Sequence, residues 1–181
     1  MRPAISSKVP LTLTLCFVLT PVFAQTKAAN APAPCDGNPA YHALDFWLGE
    51  WDVFDIKSGE KDGTNRIEKI LKGCALIENW KEAASEGEGK SLFYYQPAKA
   101  EWRQVWVTDS GPMKEKAAQS SYPGPGIRFQ GTIPHRDGTS HLDRTTLVPV
   151  SHDRVRQTIE ISRDAGKTWE IVYDAEYRRS K

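Results

Sequence analysis

Asp45-Phe46-Trp47-Leu48-Gly49-Glu50-Trp51-Asp52-Val53 decides the fold of this 181-residue chain. Side chains alternate across a strand, so a strand from Phe46 to Ile56 would set Trp47, Trp51 and Val53 on one face. Gly49, between the two indoles, leaves room for a neighbouring strand or side chain to approach closely. Two rings of roughly 150–250 Å² each commit much apolar area to this first strand. Such a strand seals one end of a β-barrel.

Working outward, no window supports a long amphipathic helix. Short alternating segments recur instead, at Asn65–Leu71, Ala75–Glu82, Ser91–Gln96, Trp102–Thr108 and Met113–Ser120. They continue at Gly126–Ile133, His141–Val148, Arg154–Ser162 and Thr168–Arg178. Turn residues punctuate them, among them Asp62-Gly63, Ser110-Gly111, Asp137-Gly138 and Ala165-Gly166. Links this short suit antiparallel neighbours and exclude parallel crossovers. About ten sequential strands must then close on themselves or leave a long exposed edge. The expected fold is all-β: a single antiparallel up-and-down barrel of about ten strands, with a two-sheet sandwich as the alternative. Asn38-Pro39 reads as an N-cap followed by proline at the first helical position, which predicts a short helical turn from Pro39 to Leu44 before the barrel.

The ends and the composition set the address. Residues 1–24 have the pattern of a secretory signal peptide: basic Arg2 and Lys8, an apolar run from Leu11 to Phe23, and small-residue cleavage after Ala24. That run is short of the ~18 residues of a membrane span. Residues 25–40 read as an Ala/Pro-rich flexible leader and 41–181 as the barrel domain. Removing Arg2 and Lys8 leaves 22 basic residues against 23 acidic, so no single-sign field steers nucleic acid or an anionic membrane. The expected destination is extracytoplasmic, the periplasm of a bacterium or the medium. There Cys35 and Cys74 either bridge or remain thiols; a bridge would tie the leader to the strands, and loop-closure entropy puts its worth at about 4 kcal/mol.

The Gly-x-Trp step of Gly49 and Trp51, the meander and the closing Tyr177-Arg178-Arg179 resemble the calycin superfamily of lipocalins, fatty-acid-binding proteins and nitrobindins. Asp45 to Trp51, Gly73 to Trp80, Trp102 to Val107 and Gly166 to Trp169 are further similar to a set of secreted bacterial proteins of unknown function carrying this Asp-Phe-Trp-Leu-Gly-Glu-Trp motif. The resemblance implies the barrel fold over about residues 41–179. It also implies that Trp51 packs beside Arg178 or Arg179 of the last strand, a cation–π closure worth ~0.5–2 kcal/mol.

Few constellations carry chemistry. Ser162 to Trp169 fits the Ser-x-Asp-x-Gly-x-Thr-Trp hairpin, with Asp164 accepting backbone hydrogen bonds, Gly166 at positive φ and Trp169 under the loop; it reads as a structural staple. A single Asp109-Ser110-Gly111 cannot supply the paired carboxylates of an aspartic protease and reads as a turn. His141 and Asp143 share a strand face but fall below the three or four ligands of a zinc site. Haem is the weaker alternative that the nitrobindin resemblance implies, with His141 the histidine to test. No nucleophile elbow, phosphate-cradling loop or Cys-x-x-Cys is present, so no catalytic residue is assigned.

The more suggestive set alternates polar and aromatic residues: Glu78 with Trp80, Tyr95 with Phe93, and Gln104 between Trp102 and Trp106. Facing inward, Glu78 and Gln104 become buried polar groups, each costing ~1–3 kcal/mol unless a partner, water or ligand satisfies it. A barrel of this size encloses one small ligand. The expected function is non-catalytic binding of a small hydrophobic or amphipathic molecule, with Trp80, Gln104 and Trp106 as wall and Arg128 or Arg144 taking an anionic or carbonyl head. An envelope interaction module with a filled interior is the alternative; in it the tryptophans fill the inside while the arginines pair with acids across the outer face.

Overall fold

A computed structural model describes residues 35–181, so the signal-peptide reading of residues 1–24 lies outside the described residues. Ten strands follow in chain order: β1 (Gly49–Asp55), β2 (Lys61–Ile70), β3 (Ala75–Glu82), β4 (Glu88–Gln96) and β5 (Glu101–Thr108), then β6 (Met113–Ala118), β7 (Ile127–Pro134), β8 (Ser140–Ser151), β9 (Arg154–Ser162) and β10 (Glu170–Arg179). Each pairs antiparallel with its sequence neighbours, and β1 also pairs with β10, so the sheet closes into an up-and-down barrel. Closure removes both free edges and excludes the sandwich.

Register explains which residues are inside. Trp51 and Val53 on β1 and Phe93 on β4 are fully buried, while their chain neighbours are more exposed. Trp51 faces Arg179 across the closing pair. The Arg179 guanidinium stacks 4.3 Å above the Trp51 ring and donates to the Leu48 carbonyl at 3.1 Å. Arg179, then, is the arginine that closes the barrel on Trp51. Arg178, one residue earlier, points outward and lies over Phe54 instead, because adjacent residues of a strand take opposite faces. Gly49 makes room for Arg179: it has φ +118°, and a Cβ there would come within 2.5 Å of Nη1.

The expected strand from Phe46 starts three residues late. Asp45–Trp47 is a 3₁₀ turn, and Trp47 reaches the core from that turn rather than from β1. A second 3₁₀ turn, Pro39–His42, is capped by Asn38, whose side chain accepts from the Ala40 amide. The disulfide Cys35–Cys74 anchors this segment to the β2–β3 connection, so the end of the leader is drawn into the fold.

These turns plug one end of the barrel. Trp47 packs edge-on against Phe93 (5.5 Å between centroids) and Tyr177 (5.8 Å), and Phe93 against Phe129 (5.4 Å). Edge-to-face pairs of this kind contribute ~0.5–1.5 kcal/mol each beyond area burial. The plug also satisfies indole donors: Trp51 Nε1 donates to the Trp47 carbonyl and Trp102 Nε1 to the Ala40 carbonyl, both at 2.8 Å. Among the described residues, hairpin turns alone ring the opposite end, which is the mouth.

Candidate functional site

Between plug and mouth the interior changes from apolar to polar. Asn65, Glu78, Ser91, Gln104, Lys116, Asp143, Thr145 and Gln157 are all buried there. Above them lies a cavity of about 330 Å³, open toward the mouth and lined by Glu78, Trp80, Gln104, Trp106, Lys114 and Lys116, with Thr145, Gln157, Ile159, Val172, Tyr173 and Tyr177 opposite.

The polar floor is a connected network. Glu78 accepts from Asn65 Nδ2 at 2.7 Å and from Ser91 Oγ at 2.6 Å; Gln104 Nε2 donates to Ser91 Oγ at 3.1 Å. Asn65 Nδ2 also reaches the Tyr177 hydroxyl, which donates to Gln157 Oε1 at 2.7 Å. Burial pushes the Glu78 carboxyl above the usual carboxylate range, against the hydrogen bonds from Ser91 and Asn65 and the nearby Lys116 charge. Burial likewise drives the Tyr177 phenol far up, so it stays a neutral donor. Two polar atoms of this floor are left over: Asn65 Oδ1 and Gln104 Oε1 have no partner among the described residues, and of the two residues Gln104 lines the cavity.

Beside this floor sits an ionic cluster. Lys116, 3% exposed, donates to Asp143 Oδ1 and, at 2.6 Å, to Thr145 Oγ1. Lys114 donates to the other oxygen, Asp143 Oδ2, at 2.7 Å. Asp143 is fully enclosed; burial alone would raise its carboxyl, but the two ammonium charges hold it below its ordinary value. Burial lowers the Lys116 ammonium to about 8, the Asp143 charge resisting. Lys114 and Lys116 share a face of β6 because they are two residues apart.

Trp80 and Trp106 form the wall. A Cβ on Gly89 of β4 would meet Trp106 Cη2 at 2.2 Å, and one on Gly63 of β2 would meet Trp80 Cη2 at 2.7 Å. The benzo edge of each indole therefore packs against a glycine of the preceding strand, and both rings line the cavity. Neither indole N–H has a partner among the described residues.

Of the residues singled out from the sequence, Glu78, Trp80, Gln104 and Trp106 meet at the cavity. Tyr95 does not; it faces inward at the sealed end, packed on Tyr41 (5.2 Å) and Trp102 (6.1 Å). Arg128 and Arg144 alternate with inward Phe129, Asp143 and Thr145, which turns both arginines outward. Arg128 bonds Thr146 and covers Tyr122, while Arg144 makes a two-pronged bond to Glu160 (2.7 Å each) and stacks 3.8 Å over Trp169. The cations at the cavity are lysines instead. Lys114, Lys116 and Thr145 were not legible as site residues: Met113–Ala118 has no apolar face to mark its inside.

His141 lies near the mouth and shares a 2.8 Å hydrogen bond with His135, and it is not part of the cavity lining. Among the described residues no group of three or more His, Cys, Asp or Glu side chains is arranged to hold a metal ion. The Ser162–Trp169 hairpin is built as a staple: Asp164 accepts from Ser162 Oγ, Thr168 N and Thr168 Oγ1, which together hold its carboxyl at about 2. Gly166 has φ +89° and accepts the Trp169 indole N–H at 3.2 Å. Neither the protein-family models nor the curated proteins compared with this chain include a match to it.

Proposed function

We propose that this protein is an extracytoplasmic, lipocalin-like carrier that binds one small hydrophobic or amphipathic molecule without transforming it. One observation carries the reading: a cavity of about 330 Å³, walled by two indoles, opens at one end of a barrel whose other end is plugged. That volume lies at the lower end of the roughly 300–1,000 Å³ typical of small-molecule sites. Indole faces and Ile159 give apolar contact; Lys114, Lys116 and Gln104 fix an orientation. The alternative of a filled interior describes only the plugged half.

The setting of Ser91 supports binding without turnover: its hydroxyl is buried in the floor, donates to Glu78 and accepts from Gln104. The Cys35–Cys74 bridge and the signal-like residues 1–24 support an oxidising destination. Native mass spectrometry of protein purified gently from its own host tests the reading. A co-purifying small molecule, released when Trp106→Ala shortens the wall, is the expected result. Ligand-free protein under every gentle condition, together with no uptake of neutral apolar dyes, overturns it.

A further inference from the structure

The cavity's donor inventory narrows the ligand, on the reading that the barrel is a carrier. The ionisable groups facing the cavity are Glu78 from β3, Lys114 and Lys116 from β6, Asp143 beside them on β8, and Tyr173 and Tyr177 from β10. Burial keeps both phenols neutral, and both Glu78 oxygens are engaged by Asn65 and Ser91. Two ammonium groups share the single carboxylate of Asp143, so they outnumber the acid they touch. Each ammonium has three N–H bonds. Lys116 spends two, on Asp143 and Thr145, and Lys114 spends one on Asp143. Three N–H donors remain on two ammonium groups that line the cavity, matched in sign to the two oxygens of an incoming carboxylate. The aromatic wall sets the shape. The Trp80 and Trp106 rings, seated against Gly63 and Gly89, line the cavity with aromatic surface, on which an aromatic ligand ring gains by offset-stacked or edge-to-face contact. Gln104 Oε1, buried and unpartnered, calls for a hydrogen-bond donor on the same molecule.

We propose that the cavity takes a compact, flat aromatic carboxylic acid bearing a hydroxyl or N–H group, with its carboxylate on Lys116 and Lys114 and its ring on the Trp80 and Trp106 faces. The volume accommodates a ring with a short acid arm and leaves a long acyl chain to protrude through the mouth.

Isothermal titration of the folded protein with a graded series tests this. The probes are 4-hydroxycinnamate, its neutral amide, cinnamate, 3-cyclohexylpropanoate, palmitate and the neutral dye N-phenyl-1-naphthylamine. The hydroxy acid binds at least about tenfold tighter than its amide and than the saturated acid, and several-fold tighter than cinnamate. Lys116→Met abolishes the preference of acid over amide while dye binding persists. Lys114→Met, at a half-exposed position that folding tolerates, reduces that preference and guards against a misfolded Lys116 variant. Equal binding of acid and amide, or an unchanged ratio in both lysine variants, overturns the proposal. Binding of palmitate or dye without the aromatic acids also overturns it but leaves the carrier reading standing. Failure of every probe, dye included, brings down both.

Discussion

The two ends of the barrel use tryptophan for opposite purposes. At the sealed end Trp47 and Trp51 are wholly enclosed, their rings packed edge-on against Phe93 and Tyr177. At the open end Trp80 and Trp106 rest on glycines and line the cavity, and neither N–H has a partner among the described residues. The difference originates in what lies opposite each ring. The plug contributes Leu44 and Trp47 from outside the sheet, so the lower rings meet side chains on all sides. Among the described residues no segment descends into the mouth, so the upper rings border the cavity. Packing is therefore concentrated below and open volume above.

This contrast is most sharply broken by Trp47→Ala. Removing that ring from a filled site costs about 3–5 kcal/mol of unfolding free energy, read from denaturant melts. Trp106→Ala, at a half-exposed wall, costs much less and instead removes ligand affinity. If the two variants were equally destabilised, the division of labour would be wrong. Next comes the disulfide: Cys35→Ser with Cys74→Ser loses on the order of 2–4 kcal/mol by freeing the plug, with ligand affinity unchanged in the folded fraction.

Gly89→Ala sharpens the comparison from the other side. The new methyl collides with the Trp106 ring, which swings into the cavity, so binding weakens and stability drops by about 1–3 kcal/mol. The ionic cluster predicts a pH slope. Because the Lys116 pKa is lower in the folded state (about 8) than in the unfolded state (10.5), the unfolded chain binds more protons between those values. Stability contributed by this group therefore rises from about pH 8 toward 10.5, by no more than about 1.4 kcal/mol per pH unit. Subtracting the curve of Lys116→Met from that of the unmodified protein isolates it; a flat difference refutes the buried ammonium. The smallest effect separates neighbours at the seam. Arg179→Ala loses the Trp51 stack and the bond to Leu48, about 1–2 kcal/mol, whereas Arg178→Ala on the outer face changes stability by less than about 0.5 kcal/mol.

Much of the barrel was legible because period-two alternation and turn chemistry are local signals. Ala75–Glu82 and Arg154–Ser162 match β3 and β9 residue for residue, and the Ser162–Trp169 staple was readable from its own side chains. Phe46 and Trp47 were misread as strand since their aromatic content is the same in either state; the plug and the left-handed Gly49 make them part of a turn. The site was harder. Whether Arg128 and Arg144 face in or out depends on parity relative to neighbours several strands away, where aromatic Phe129 and the enclosed Asp143 claim the interior. Lys114 and Lys116 look like a solvated edge until the sheet, curving through β7, turns Asp143 and Thr145 of β8 toward them. Glu78 and Gln104 were visible because each alternates with a tryptophan.

Both described ends of the chain come together at the plugged pole: Ser180 donates its amide to the Glu50 carbonyl at 2.9 Å, and Cys35 is bonded nearby to the β2–β3 connection. The entrance is consequently framed, among the described residues, by five hairpin loops and by neither end of the described span. Grafting, loop diversification or attachment to a surface through Lys181 can proceed at opposite poles without interfering, which makes this barrel a natural starting frame for engineered small-molecule receptors.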